Sequence, residues 1–268
     1  MIKLIASDLD GTVLDEDFHI RPRTLRALEL AAEAGIDVVF VTGRPHRWLN
    51  PLRDQLDHSA FAICSNGAVL YHLGEDRVVH TELTDMAQVA AVHPVLESEF
   101  PDASFILETL DTVYLQGPYE YGPALDNAVL VEGDFDEVLT RSDGVVKYLM
   151  KVDGADPEGI FERTLPLVEQ HLALTVGING VPLMEMARRG VHKGKTLADF
   201  ASECGIKPSE VVAFGDMPND LEMLQWAGQG YAMASGSPRL IRAVGRTCGA
   251  FEDDGVAQVI EQIVHEQG

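Results

Sequence analysis

Three short segments, Met1 to Ala6, Ile36 to Val41 and Val211 to Phe214, are nearly continuous apolar runs rich in branched side chains. That is the pattern of strands buried on both faces of a sheet. Between the first two, Pro22 to Ala34 carries Leu25, Leu28 and Ala32 at helical spacing, and Gly35 follows where a C-terminal cap belongs. Strand and helix signals alternate in this way to about residue 70, which predicts a parallel α/β sheet. The pattern then changes. Ala68 to His80 predicts a hairpin turning at Gly74-Glu75-Asp76, and Thr84 to Phe100 a helix disturbed by Pro94. Further strands are expected in Ser104 to Gln116 and Val145 to Val152, a helix over Asp156 to His171, and a hairpin in Leu172 to Met186 that folds back at Asn179-Gly180. After Lys193 the alternation resumes through Val211 to Phe214, Asp220 to Ala227 and Pro238 to Val244. The expected architecture is an α/β core built from residues 1–83 and 187–268, with an α+β domain, 84–186, inserted into it.

Composition is consistent with two domains. The chain has 268 residues, 46% of them hydrophobic, enough for two sizeable cores. Cys64, Cys204 and Cys248 are odd in number and show no metal-like spacing, so they are read as small buried hydrophobes in a reducing compartment. No apolar run approaches the ~18 residues of a membrane span, and the opening residues read as a core strand, not a leader. A soluble cytoplasmic protein with no membrane partner is expected. The nine histidines show no paired zinc spacing.

The chemistry lies at the ends of the predicted strands. Asp8-Leu9-Asp10-Gly11-Thr12 follows the first strand, on the side where open α/β sheets bind ligands. Two carboxylates at i and i+2 suit phosphoryl transfer: one attacks phosphorus to form an aspartyl-phosphate while the other handles protons. A divalent cation is then needed to overcome repulsion between carboxylate and phosphate, and an oxygen-rich acidic site suits Mg²⁺. An Asp-rich solvated turn is the plainer alternative for this motif alone. Thr42-Gly43-Arg44 follows the second strand; its hydroxyl and N–H suit a phosphate oxygen, although Thr42 before Pro45 also suits a helix cap. Gly215-Asp216 ends a later strand, and Val191-His192-Lys193-Gly194-Lys195 opens a helix whose ammonium suits a phosphate or the nucleophile. Four element ends thus offer groups suited to one reaction.

Together, Asp8-x-Asp10-Gly11-Thr12, Thr42-Gly43-Arg44, Lys193-Gly194 and Gly215-Asp216-x-x-Asn219-Asp220 resemble the haloacid dehalogenase superfamily of phosphatases, and most closely its Cof-type branch. Ser65-Asn66-Gly67-Ala68, Met184-Glu185-Met186 and Asp254-Gly255-Val256 support the likeness, which is weakest over residues 84–182. The resemblance implies a Rossmann-like parallel-sheet core with an inserted cap. It implies Asp8 as nucleophile and Asp10 as acid and then base, with Thr42, the Gly43 N–H and Lys193 on the phosphoryl oxygens. Mg²⁺ would be held by Asp8, the main-chain carbonyl of Asp10 and Asp216, with Asp220 behind them. Leu9, Arg44, Asn66, Asn219 and Glu185 would contact substrate or support its binding. Two segments depart from the family pattern, Ala234-Ser235-Gly236 and Phe251, both peripheral to these groups.

The expected function is Mg²⁺-dependent hydrolysis of small phosphate monoesters such as sugar phosphates or phosphorylated cofactors. A phosphosugar mutase would use the same intermediate but needs basic cap residues, and only Arg141, Lys147, Lys151 and Arg163 are available. A catalytically idle binding module would have lost a catalytic residue, and none is missing. The chain carries −23, and residues 84–186, with 19 acidic and 4 basic residues, carry −15 of it. Such an insert disfavours nucleic acids and other polyanions and favours a small phosphorylated metabolite whose remainder is neutral or cationic, although an acidic exterior around a neutral inner face fits the same count. A monomer or homodimer is expected.

Overall fold

A computed structural model describes every residue except 57–59, 120–127, 142 and 178–179. The chain divides into two compact units, Met1–Thr81 with His192–Gly268, and Glu82–Val191. The second runs a few residues beyond 84–186 at each end, because β-structure extends to Arg188 and that side chain pairs with Glu82 at 2.8 Å.

The first segment contains β1 (Leu4–Ser7), α1 (Pro22–Glu33), β2 (Asp37–Val41), α2 (Asn50–Arg53), β3 (Phe61–Cys64), β4 (Val69–His72) and β5 (Arg77–Thr81). The second unit contains α3 (Met86–Glu99), β6 (Ser104–Glu108), β7 (Thr112–Gln116), β8 (Val129–Glu132), β9 (Lys147–Lys151), α4 (Pro157–Val168), β10 (Leu172–Val176) and β11 (Leu183–Arg188). The chain returns through α5 (Lys193–Glu203), β12 (Val211–Gly215), α6 (Leu221–Trp226), β13 (Gln229–Met233), α7 (Pro238–Val244), β14 (Thr247–Cys248) and α8 (Gly255–Gln267).

The first unit's sheet has the order β14-β13-β12-β1-β2-β3-β4-β5, parallel as far as β3, with β4 antiparallel to both β3 and β5. β1 and β12 are buried along their whole length, which explains their unalternating apolar sequences. Leu4, Ala6, Val39, Ile63, Val211 and Ala213 pack with Leu197, Phe200, Met223, Leu224 and Leu240 of the covering helices. Strand alternation turns Ile5, Phe40, Val212 and Phe214 to the opposite face, and α1 and α8 pack against each other. Chain order runs from β1 outward through β2 and β3 on one side and through β12, β13 and β14 on the other. The strand order therefore reverses beside β1, where α/β sheets open a crevice.

The second unit is a six-stranded sheet, β10-β11-β9-β6-β7-β8, with only the β7–β8 pairing parallel. Helices α3 and α4 bury Val89, Val92, Leu96, Ile160 and Val168 with Phe105, Leu107, Tyr148, Met150, Met184 and Met186. Within that core His93 Nδ1 and the Tyr148 hydroxyl lie 2.7 Å apart, so each satisfies the other. Asp85 caps α3 by accepting from the Ala87 N–H at 2.9 Å. The helix continues through Pro94, since burial of residues on both sides of the proline outweighs one missing hydrogen bond. β10 and β11 pair antiparallel as expected, with Val176 opposite Met184; Asn179 of the turn lies outside the described residues.

The cysteines are all free; Cys64 and Cys248 are buried, whereas Cys204, expected to be buried, is exposed where α5 ends. No helix among the described residues is long and apolar enough to cross a membrane.

α5 and α6 approach so closely that a Cβ on Gly194 would lie 2.6 Å from the Glu222 carbonyl carbon and 2.8 Å from the Met223 nitrogen. Those neighbours are backbone and cannot swing aside. Gly194→Ala is expected to lower stability by about 3 kcal/mol, read from urea unfolding, because the two helices must part.

Candidate active site

Adjacent strands β12, β1, β2 and β3 present their carboxyl ends together, and each is followed at once by a polar residue: Asp216, Asp8, Thr42 and Ser65-Asn66. Asp8 extends the ladder by donating its N–H to the Phe214 carbonyl at 2.9 Å, which fixes its backbone beside Asp216. Gly11 is in the left-handed region (φ +72°), and a Cβ there would stand 2.5 Å from Asp216 Oδ2. The glycine of the first motif thus serves both the turn and the approach of the second carboxylate.

Lys193 begins α5, capped by His192, whose Nδ1 accepts from the Lys195 N–H at 3.3 Å. Its side chain is 2% exposed, and the ammonium donates to Asp8 Oδ1 and Asp220 Oδ1, each at 2.6 Å. The other oxygen of Asp220 accepts from the N–H groups of Asp216 and Met217, both at 3.0 Å. Asp220 thereby holds the lysine with one oxygen and the Asp216 loop with the other. Gly215 makes room, since a Cβ there would lie 2.5 Å from the Asp220 side chain.

Burial alone would lower the Lys193 pKa, but Asp220 and Asp8 outweigh it and raise the value, so the ammonium stays charged. Burial pushes the Asp8 carboxyl well above its usual range against the pull of Lys193, with Asp220 and Asp216 adding to the rise. Asp216 is pushed up to about 6, mainly by burial and by Asp220. Three carboxylates around one ammonium lack positive charge, and a divalent cation would balance it. Oxygens of Asp8, Asp216 and Asp220 lie within 4.8 Å of one another. Asp216 Oδ1 is buried without a hydrogen-bond partner among the described residues, whereas Asp220 is already engaged through both oxygens. The hard oxygen donors fit Mg²⁺, with Asp8 and Asp216 free to bind it and Asp220 backing them.

Thr42 is fully buried, and its Oγ1 accepts from the Arg44 N–H at 3.1 Å, leaving its own proton to donate. Asn66, in the left-handed region with Ser65, accepts at Oδ1 from Asn219 Nδ2 at 3.1 Å, and a Cβ on Gly43 would lie 3.3 Å from that oxygen. Gly43, Asn66 and Asn219 therefore meet at one rim. The Leu9 side chain is fully buried and its carbonyl accepts from Thr12, Val13 and Leu14, so Leu9 has no side chain to offer a substrate. Asp10 stands apart from the acidic cluster. Both its oxygens accept from Arg44, the Nε–H bond to Oδ2 being 2.7 Å, and the Arg44 guanidinium lies 4.2 Å above the Phe18 ring. Phe18 has no sequence signal, being one aromatic residue in an acidic turn. Glu185 belongs to the second unit, where it pairs with Lys147 at 2.8 Å on the sheet face opposite the helices; Lys147 itself stands across from Glu108.

Residues 5–260 match the family of haloacid dehalogenase-like hydrolases. The chain is 28% identical over 272 residues to a 5-amino-6-(5-phospho-D-ribitylamino)uracil phosphatase of Bacillus subtilis, covering 97% of this chain and 96% of that one. It is 27% identical over 266 residues to the pyridoxal phosphate phosphatase of Escherichia coli, covering 96% and 97%. Its fold is similar to that of a phosphatase of the same superfamily from Bacteroides thetaiotaomicron, with a TM-score of 0.80, 22% identity and coverage of 98% and 95%. With the strand order, the paired aspartates and the buried lysine in place, the match over nearly the whole length makes this chain a member of the haloacid dehalogenase-like hydrolase family.

Proposed function

We propose that the protein is a Mg²⁺-dependent phosphatase of small phosphate monoesters that works through a phosphorylated Asp8. The observation that carries this reading is the meeting of Asp8, Lys193 and the unpartnered oxygen of Asp216 at the sheet's switch point. Asp8 attacks phosphorus as a carboxylate, forming a P–O bond as the ester P–O bond breaks, and Asp10 gives its proton to the departing alkoxide. In the second half Asp10, now a carboxylate, takes a proton from the water that attacks the phospho-aspartate. Lys193 and the Thr42 hydroxyl hold phosphoryl oxygens, which matters because this transfer depends on placed charge more than on covalent help. Asp8, Asp216 and the Asp10 main-chain carbonyl would hold Mg²⁺, which would supply positive charge against the phosphoryl group. Asn66 and Asn219 brace the rim with Gly43, and Asp220 holds Lys193.

The relatives named above act on a ribitylaminouracil phosphate and on pyridoxal phosphate, both small phosphorylated molecules. Glu82–Val191 is assigned as the cap that selects the leaving group, with Glu185 among its polar contacts. Its acidity favours monophosphates whose remainder is neutral or cationic over bisphosphates.

The test is phosphate release from a panel of such esters with Mg²⁺ or EDTA. Native protein should release phosphate only with metal and rank monophosphates above bisphosphates, while Asp8→Asn should lose on the order of 10⁴-fold or more. Metal-independent release, or release that survives Asp8→Asn, would refute the mechanism.

Protonation supplies a second check. A carboxyl raised to about 6 in the folded protein favours folding at low pH, and that contribution is lost as pH rises through 6. Without metal, Asp216→Asn should therefore stabilise the protein above about pH 6, by roughly 2 kcal/mol, and change little near pH 4. Mg²⁺ must displace that proton, so its thermal stabilisation of the native protein should be larger above pH 7 than near pH 5 and small in Asp216→Asn. Thermal melts of the two proteins, with and without metal at each pH, measure both effects.

A further inference from the structure

The resemblance turns Arg44 toward the substrate or the cap, and in the structure its guanidinium is engaged by Asp10. Nε and Nη2 both donate to Asp10, one to each carboxylate oxygen, in the fork geometry that fixes a carboxylate's plane as well as its position. Its Cζ lies 4.2 Å from the centroid of the Phe18 ring, over the ring. The Arg44 side chain is 14% exposed, against 52% for Asp10, so the arginine is the anchored partner and the aspartate the projecting one.

Phe18 is held in turn. It takes φ +65°, a conformation that a bulky residue adopts only when its surroundings impose it, and such strain gathers at functional sites. Its N–H donates to the Asp15 carbonyl at 3.2 Å, its carbonyl accepts from Gln55 Nε2 at 2.8 Å, and Gln55 Oε1 accepts from the Ile20 N–H at 2.8 Å. The backbone at Arg44 is fixed from two sides, its N–H on Thr42 Oγ1 and its carbonyl accepting from the Ser65 N–H at 2.9 Å. A tied turn, an aromatic ring, a guanidinium and a carboxylate therefore stand in series, ending on the residue that handles protons.

We infer that Arg44, seated on Phe18, is the positioning residue of Asp10. This rests on the phosphatase reading above. When Asp8 takes the phosphoryl group, the electron pair of the broken ester bond goes to the alkoxide oxygen, the Asp10 proton follows it, and Asp10 is left as a carboxylate. Arg44 receives that carboxylate on both oxygens and keeps it aimed for the water of the second half. Lysine would bring the charge but not the fork.

The leaving group reveals this role. An alkoxide needs Asp10's proton, whereas p-nitrophenolate departs without one. kcat/KM covers only the steps through phosphoryl transfer to Asp8, so the second half does not enter it. The experiment compares kcat/KM of native protein, Arg44→Gln, Arg44→Lys and Phe18→Leu, all with Mg²⁺, on the best alkyl phosphate of the panel and on p-nitrophenyl phosphate. For Arg44→Gln the expected loss is about 100-fold on the alkyl ester and under about 5-fold on the aryl ester. Arg44→Lys should show the same selectivity, and Phe18→Leu should show it more weakly without losing any charge. Equal losses on both esters would assign Arg44 to substrate binding or to general stability and overturn the inference, as would no loss at all. Failure of native protein to turn over any ester with metal would instead overturn the phosphatase reading, so the two failures are distinct.

Discussion

A lysine ammonium held 2.6 Å from two carboxylates and almost wholly removed from water is the interaction around which the core unit is organised. Burying one charge costs several kcal/mol, and the cost is met only if its partners are placed with good geometry. Asp8 is placed by the end of β1. Asp220 is placed by the Asp216 loop, whose N–H groups its second oxygen holds. Loss of the lysine would leave two buried carboxylates facing each other, so strand end, helix start and loop stand together. Burial, with the neighbouring carboxylates adding to it, raises Asp8 and Asp216; the same arrangement leaves the cluster short of positive charge, so a divalent cation suits the space beside them.

Topology makes this arrangement reachable. Because the strand order reverses beside β1, the loops after β1 and β12 part and leave the crevice in which Asp8 and Asp216 meet, although more than two hundred residues separate them in the chain. Glycine recurs where these segments touch: Gly11 against Asp216, Gly215 against Asp220, Gly194 against α6. Each spares a side chain that the contact has no room for. Much of what reads as a glycine-rich motif is thus a packing requirement of the acidic cluster and its helix.

The second unit handles buried polarity differently. On its helix-covered face, His93 and Tyr148 satisfy one another inside an aromatic cluster, and burial lowers the His93 pKa, keeping the ring neutral. On the opposite face, Lys147 and Glu185 pair among Ile106, Val113, Leu149 and Leu183. Such a largely buried pair adds little net stability, but removing either partner would leave the other charge uncompensated, so the two hold β9 and β11 to one arrangement of side chains on this face.

Strand ends and the polar residues that follow them were legible in the sequence because both are local: a buried parallel strand needs a continuous apolar run, and the motif follows it directly. Asp8, Thr42, Asn66, Lys193 and Asp216 could therefore be named with their elements, as could the hairpin at Gly74-Glu75-Asp76 and the helix begun by Pro22. β8, β13, β14 and α8 were not anticipated; β13 contains Gln229 and Gly230, and β14 is only two residues long, so their identity comes from the strands beside them. The exposure of Cys204 likewise follows from where α5 ends. What only the tertiary structure decided is which polar groups take which partners. Arg44 carries the same charge whether it meets a phosphate or Asp10, and nothing near Phe18 in the chain connects it with Arg44. Partner choice depends on distances between segments far apart in sequence, and those distances exist only once the sheet has formed.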